Sequence, residues 1–353
     1  MKSPGDGLPP ASGGGDASGG GHSERKLGEA GAAKRLSTGR ALLAVVAGGL
    51  GRAAGALLVL LALASLVFLA LRLLPGDPAA LVLGDQASEV DRAALRAKLG
   101  LDKPLFIQYL HFVWGLVRFD LGESLSRPGV PAYAEVMRAL GPTAALAGVA
   151  VGLGTLFGTS AALASVGPWL GAGRRWVHRL TLFLAATPLL AFAPLLTFVF
   201  AVRLGWVPLP GDPESGAGGL LFASGLLSLP LAAQVARIGR AALLDQSRAK
   251  YLEVAAAKGA SPARVWIVHA LPVASTPISV VVAAQLGALL GGAVVLERLF
   301  ERPGLGSLML GAYASRDIPV LEASVVAAGL LFVVAQALAG MVQAMVDPRG
   351  RAT

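Results

Sequence analysis

The chain has no cysteine and little charge. Of its 353 residues, 6% are aromatic and 14% are Asp, Glu, Lys or Arg, where an ordinary soluble domain carries about 25% charged residues. Without cysteine there is no disulfide and no thiolate metal site. Also missing are a Gly-x-x-x-x-Gly-Lys-Ser/Thr phosphate loop, a His-Glu-x-x-His metal motif and a Gly-x-Ser-x-Gly nucleophile elbow. His22, His111, His178 and His269 are scattered. These absences rule out ATP-driven work by this chain alone. They argue against metalloprotease and hydrolase chemistry, and they imply no enzyme, metal or cofactor. No long apolar run carries an ionisable residue in its central part, where a proton-coupled carrier needs one to move the coupling charge. Sodium coupling through backbone carbonyls stays open.

What is present belongs in a bilayer. Hydrophobic residues make up 55% of the chain, and the mean hydropathy is +0.67. Gly 46 and Pro 22 suit closely packed, bent helices of the kind membranes tolerate. Six apolar segments each approach or exceed the ~20 residues that cross the hydrocarbon core: Ala53–Leu71, Thr143–Val166, Leu180–Val202, Leu220–Ala236, Val273–Leu296 and Val320–Val346. The expected fold is an all-α polytopic membrane protein with six transmembrane helices. Ala41–Leu50, followed by Arg52, reads as an interfacial extension of the first. Residues 1–40 read as a disordered tail, Gly/Ser-rich over Ala11–Gly21, and residues 41–352 as the transmembrane domain.

The basic residues lie between apolar runs, so they mark a side of the membrane rather than a nucleic-acid partner. Arg174, Arg175 and Arg179, six Lys and Arg in 237–272, and Arg349 and Arg351 fall on one side. Arg203, Arg298, Arg302 and Arg316 fall on the other. The positive-inside rule then puts both termini in the cytoplasm, with the long segment 75–142 outside. In that segment Asp77, Asp102, Asp120 and Glu123 either cap turns and helices or shape a docking surface. Gln234, Gln285, Gln336 and Gln343 are the main strongly polar side chains of the spans. They line a pathway or tie helices together, and Gln234 and Gln285 are the candidate pathway residues. Pro188, Pro194, Pro230 and Pro277 are kinks or gating hinges.

The most informative stretch lies in 237–272. A helix is expected over Asp245–Lys258, rich in Ala, Leu and Lys. Gly259 would end it in a left-handed conformation, and Ser261 and Pro262 would open a second helix. The product is a helix-turn-helix elbow, in which Ala255, Ala256 and Ala257 permit close approach by another surface. An ordinary solvated connector, with Glu253 paired to Lys250, is the competing reading.

The residues of this stretch resemble the signature of ABC-importer permeases, in the dipeptide, oligopeptide and nickel branch. Glu253, Ala255, Gly259, Leu271 and Pro272 match; Val254 replaces the first Ala, and His269 replaces the usual aliphatic residue at a place where the peptide and nickel branch commonly has His. Three further stretches are similar to that branch: Arg72-Leu-Leu-Pro-Gly-Asp-Pro78 with Gly84; Leu99 through Gln108-Tyr109 to Phe119-Asp-Leu-Gly-Glu-Ser124; and Glu297 through Gly304-Leu-Gly306 to Arg316-Asp-Ile-Pro319. Asp347-Pro-Arg349 also fits. Phe119 stands where glycine is frequent. The resemblance implies a type I importer permease that works with a second permease subunit, two cytoplasmic ATP-binding subunits and an extracytoplasmic solute-binding protein, in contact with membrane lipid. It implies that Tyr251, Glu253, Ala255, Ala256, Lys258 and Gly259 couple to the ATPase. An ion-coupled or facilitative carrier is the alternative.

Overall fold

The structure is a computed structural model. It describes residues 51, 54–73, 83, 87–98, 100–212 and 215–346. The tail 1–40, the extension Ala41–Leu50, Pro75–Pro78 and Gly84, and Asp347–Arg349 lie outside the described residues. The chain divides into two compact units, Met1–Val59 and Leu60–Thr353. The first is described only at residue 51 and over 54–59, all helical. The second holds everything that follows.

The described residues are helical almost throughout. In chain order come α1 (Ala54–Leu73), α2 (Glu89–Lys98), α3 (Leu105–Arg118), α4 (Ala132–Val166), α5 (Gly173–Ala186) and α6 (Leu189–Thr197, continued by a π turn over Phe198–Arg203). Then follow α7 (Gly216–Gln246), α8 (Lys250–Ala257), α9 (Pro262–Leu299, with a π turn at Val265–Ala270), α10 (Leu305–Ala314) and α11 (Ile318–Val346). Among the described residues, α1, α4, α7, α9 and α11 are each long and apolar enough to cross a membrane. The pair α5–α6 makes a sixth span if counted as one broken helix.

That break in the expected third span, Leu180–Val202, falls at Pro188, one of the prolines read as a kink or hinge. Pro188 has no N–H to donate, and the residue before a proline avoids helical ψ. Thr187 is accordingly extended, at φ −91 and ψ 123. Pro230 and Pro277, in contrast, sit inside continuous helices. The fourth span is also longer than expected, because α7 is 31 residues long and ends at Gln246.

The core lies where α4, α7 and α9 meet, around Leu146, Leu227, Leu231, Val235, Ile278, Leu289 and Leu296. Small residues set the spacing of α4 and α7. A Cβ at Gly158 would lie 2.6 Å from both the Ala232 carbonyl oxygen and Val235 Cβ. With no water to expel, membrane helices gain stability by such close backbone approach. The Ser224 hydroxyl adds a hydrogen bond to the Leu146 carbonyl, 3.2 Å. Leu66, Leu69, Leu156, Phe157, Leu338 and Met345 stay exposed on the outside of the bundle, as a lipid-facing surface requires.

Candidate functional site

The elbow forms, with shifted limits. Asp245 and Gln246 complete α7, and the chain turns at Ser247–Ala249 before α8 starts at Lys250. The expected helix over Asp245–Lys258 is therefore two pieces. The end of α8 is a Schellman motif: the Gly259 N–H donates to Ala256 O at 2.9 Å and the Ala260 N–H to Ala255 O at 3.2 Å. Gly259 sits at φ +85, and nothing lies within 4 Å of where a Cβ would be. Backbone conformation, not space, requires the glycine. Ser261 Oγ then accepts from the Arg264 N–H at 3.4 Å, with Pro262 at the first position of α9.

One side of α8 is anchored and the other is free. Leu252 is buried among Ala162, Val166, Leu243, Ala270 and Ala274 from α4, α7 and α9. Tyr251, Glu253, Val254, Ala256, Lys258 and Gly259 are exposed, and Ala255 is half-buried. The Tyr251 hydroxyl donates to Gln246 Oε1 at 2.9 Å, and burial pushes its phenol pKa up. Among the described residues Glu253 has no ion pair, so it does not pair with Lys250.

At the other end of the bundle, the similar stretches converge on a cavity of about 610 Å³. Asp317, 1% exposed, accepts from the Ser124 hydroxyl at 2.5 Å, the Ser126 N–H at 3.0 Å and the Ser126 hydroxyl at 2.8 Å. Burial pushes the Asp317 carboxyl up, but these donors outweigh it and hold the group below its ordinary value. Glu297, also 1% exposed, accepts from Thr143 Oγ1 at 2.5 Å and from the N–H groups of Gly306 and Ser307 at 2.8 and 3.2 Å. Its charge thus sits at the N-terminus of α10, where unpaired N–H groups and the helix dipole favour an anion. Gly304 leaves room for it: a Cβ there would be 2.2 Å from the Glu297 carboxyl carbon.

Arg72 and Glu322 form an ion pair at 2.7 Å, and Arg72 also donates to Gln108 Oε1 at 3.2 Å. Tyr109 bonds Ser65 at 2.6 Å. Residues of two similar stretches, together with Glu322, therefore pin α1, α3 and α11 together. Phe119 closes α3 at φ +56, in the left-handed region glycine prefers, which explains why glycine is frequent at that place. Asp120 makes a local turn, Oδ1 accepting from the Gly122 N–H at 3.2 Å.

The four glutamines separate. Gln336 and Gln343 of α11 donate to the carbonyls of Ala283 and Ser279 of α9, at 3.1 and 3.2 Å, and so tie two helices together. Gln234 accepts from Arg237 on its own helix at 2.7 Å. Gln285 lines an otherwise apolar cavity of about 380 Å³ with Pro188, Pro230, Leu231 and Gly292. Sequence reasoning missed the partners Thr143, Ser126 and Glu322. Thr143 and Glu322 are single polar residues near span ends and Ser126 lies in the loop before α4, with no local pattern to set any of them apart.

Two family models match the chain: binding-protein-dependent transport system inner membrane component over residues 154–352, and the N-terminal part of such membrane components over 49–133. A putative peptide transport system permease of Brucella abortus (strain 2308) is 35% identical over 311 residues, 86% of this chain and 98% of that protein. The glutathione transport system permease protein GsiC of Salmonella typhimurium is 34% identical over 304 residues, 85% of this chain and 97% of that protein. Among solved structures, one chain of the MetNI methionine ABC transporter in inward facing conformations gives a TM-score of 0.49 at 19% identity, covering 60% of this chain and 96% of that one. The chain belongs to the family of binding-protein-dependent transport system inner-membrane components, and is a multi-pass permease subunit of the ABC type.

Proposed function

We propose that this chain is one membrane half of an ATP-driven importer of di- or oligopeptides, or of a small solute related to them such as glutathione. It spans the inner membrane six times in the type I arrangement, with both termini in the cytoplasm. It pairs with a second permease, receives solute from an extracytoplasmic binding protein, and docks α8 on one of two cytoplasmic ATP-binding subunits. The names of its relatives support the solute class.

The observation that carries the reading is the division of α8 into an anchored and a free side. Tyr251, Glu253, Ala256 and Lys258 meet the ATPase, Ala255 and Ala256 allow close approach, and Gly259 forms the turn. Leu252 grips the ends of α4, α7 and α9. Motion of an ATPase against α8 then moves three spans together, as a rigid lever rather than a flexible tether. The cavity at Gln285 lies between α7 and α9, and Gln234 and Gln285 face the solute path. Reconstitution with both ATPase subunits, the second permease and the binding protein tests this. Gly259→Val and Glu253→Lys should lower peptide uptake while the chain keeps its membrane abundance and its membrane-spanning body stays folded. Wild-type uptake in both would remove α8 from the mechanism. Uptake without ATP, driven by a sodium gradient, would favour a secondary carrier.

A further inference from the structure

We infer that a cavity at the elbow end of the bundle binds the phosphate of an anionic lipid headgroup. The cavity, about 600 Å³, lies between the end of α4, the start of α5 and the C-terminal end of α7, and is lined by Arg174, Arg175, His178, Arg179 and Arg240. No carboxylate lines it, and none of the four arginines forms an ion pair among the described residues. Arg240 donates to the Ser165 carbonyl. Arg174 donates to the carbonyls of Gly171 and Val166, at 3.1 and 3.4 Å. These two are held by backbone oxygens alone. Arg179 lies over the Trp176 ring, 5.5 Å from its centroid. The His178 Nδ1 is buried with no hydrogen-bond partner.

Two features favour an anion here. Arg174 and Arg175 sit in the first turn of α5, with no acidic residue in that turn. Positive charge opposes the helix dipole there, and a bound anion reverses the sign. The uncompensated guanidiniums and the orphan imidazole nitrogen supply donors of the geometry phosphate takes. Depth points to lipid as the source. Trp169 and Trp176 bracket the lining residues Gly171, Ala172, Arg174 and Arg175 in sequence, are exposed by 44% and 71%, and beyond them α5 carries exposed Leu180 and Phe183. Tryptophan at the boundary between basic and apolar surface marks the headgroup level, and the cytoplasmic leaflet carries the anionic lipids. The inference rests on the orientation given under the proposed function, in which the α8 end is cytoplasmic.

The test titrates the purified full chain, in detergent, with phosphatidylglycerol and with phosphatidylcholine, and counts bound lipid by native mass spectrometry. The wild type should prefer phosphatidylglycerol. Arg175→Gln with Arg179→Gln should weaken that binding roughly 30-fold, since each basic residue near anionic headgroups contributes about a fivefold factor. Arg175→Lys with Arg179→Lys should retain most of it. Because the Arg175 and Arg179 side chains hold no polar partner among the described residues, both pairs should melt like the wild type without lipid; if the glutamine pair does not, the Arg179→Gln single variant is read instead and should lose about fivefold. Equal binding of the two lipids, or an unchanged preference in the glutamine variants, overturns the inference. Full displacement by excess inorganic phosphate overturns the lipid source and leaves a free-phosphate site. Loss of ATPase co-purification with lipid binding intact makes the surface a protein contact and overturns it too. Gly259→Val, run in parallel, should bind phosphatidylglycerol normally, which separates failure of this site from failure of the elbow.

Discussion

Replacing Gly304 with alanine should unseat Glu297. The Gly304 backbone is extended, at φ −173, so any residue adopts it and the cost is steric alone. An added Cβ would meet Glu297 Cδ at 2.2 Å and both carboxylate oxygens at 2.3–2.4 Å. The carboxylate must swing away and give up the N–H groups of Gly306 and Ser307. A hydrogen bond to a charged group contributes about 1.5–3 kcal/mol, so losing two costs about 3–6 kcal/mol. Glu297→Ala alone should cost a similar amount, because it leaves the same donors and Thr143 Oγ1 without their acceptor. The double variant is the decisive measurement: with the carboxylate gone, the alanine Cβ has room and should add less than about 1 kcal/mol. Denaturant unfolding of the four proteins in one detergent gives the cycle. Additive costs, with Gly304→Ala as damaging without Glu297 as with it, would refute the account.

Other consequences are open to direct measurement. The Asp317 carboxyl is held below its ordinary value, so the folded state favours its charged form. Its contribution should be complete above the unfolded value of about 3.9 and fall away as pH drops through the lower folded value; Asp317→Asn should melt lower at neutral pH and lose that acid-side dependence. Phe119→Gly should stabilise the chain by about 1 kcal/mol, because φ +56 strains a side chain that is mostly exposed; a lower melting temperature would show that Phe119 packs usefully. A cysteine at exposed Asp102 should react with an impermeant reagent in intact cells, and reaction only after permeabilisation would invert the topology. Ser124 is a poor reporter, being buried with its hydroxyl on Asp317.

The sequence by itself determined the membrane class, five of the spanning helices and the elbow. Each rests on local physics: apolar runs long enough to cross a bilayer, a glycine free to take positive φ, and a serine and proline that open a helix whatever surrounds them. Even there the elbow helix was legible only in part, since its real start at Lys250 depends on where α7 stops. Tertiary structure decided what the polar residues do. Nothing local separates Gln336, which bonds the Ala283 carbonyl, from Gln285, which lines a cavity; the difference is which face of each helix meets a neighbour. The stretch from Glu297 to Gly306 is a pattern of residues until the chain folds back and sets a buried carboxylate on the first N–H groups of α10. The arginines of α5 mark one side of the membrane in the sequence, but only packing against Arg240 of α7 gathers them into a cavity. Side-chain partners 75 to 250 residues apart, such as Arg240 with Ser165 and Arg72 with Glu322, are chosen by helix packing, which no short window of sequence encodes.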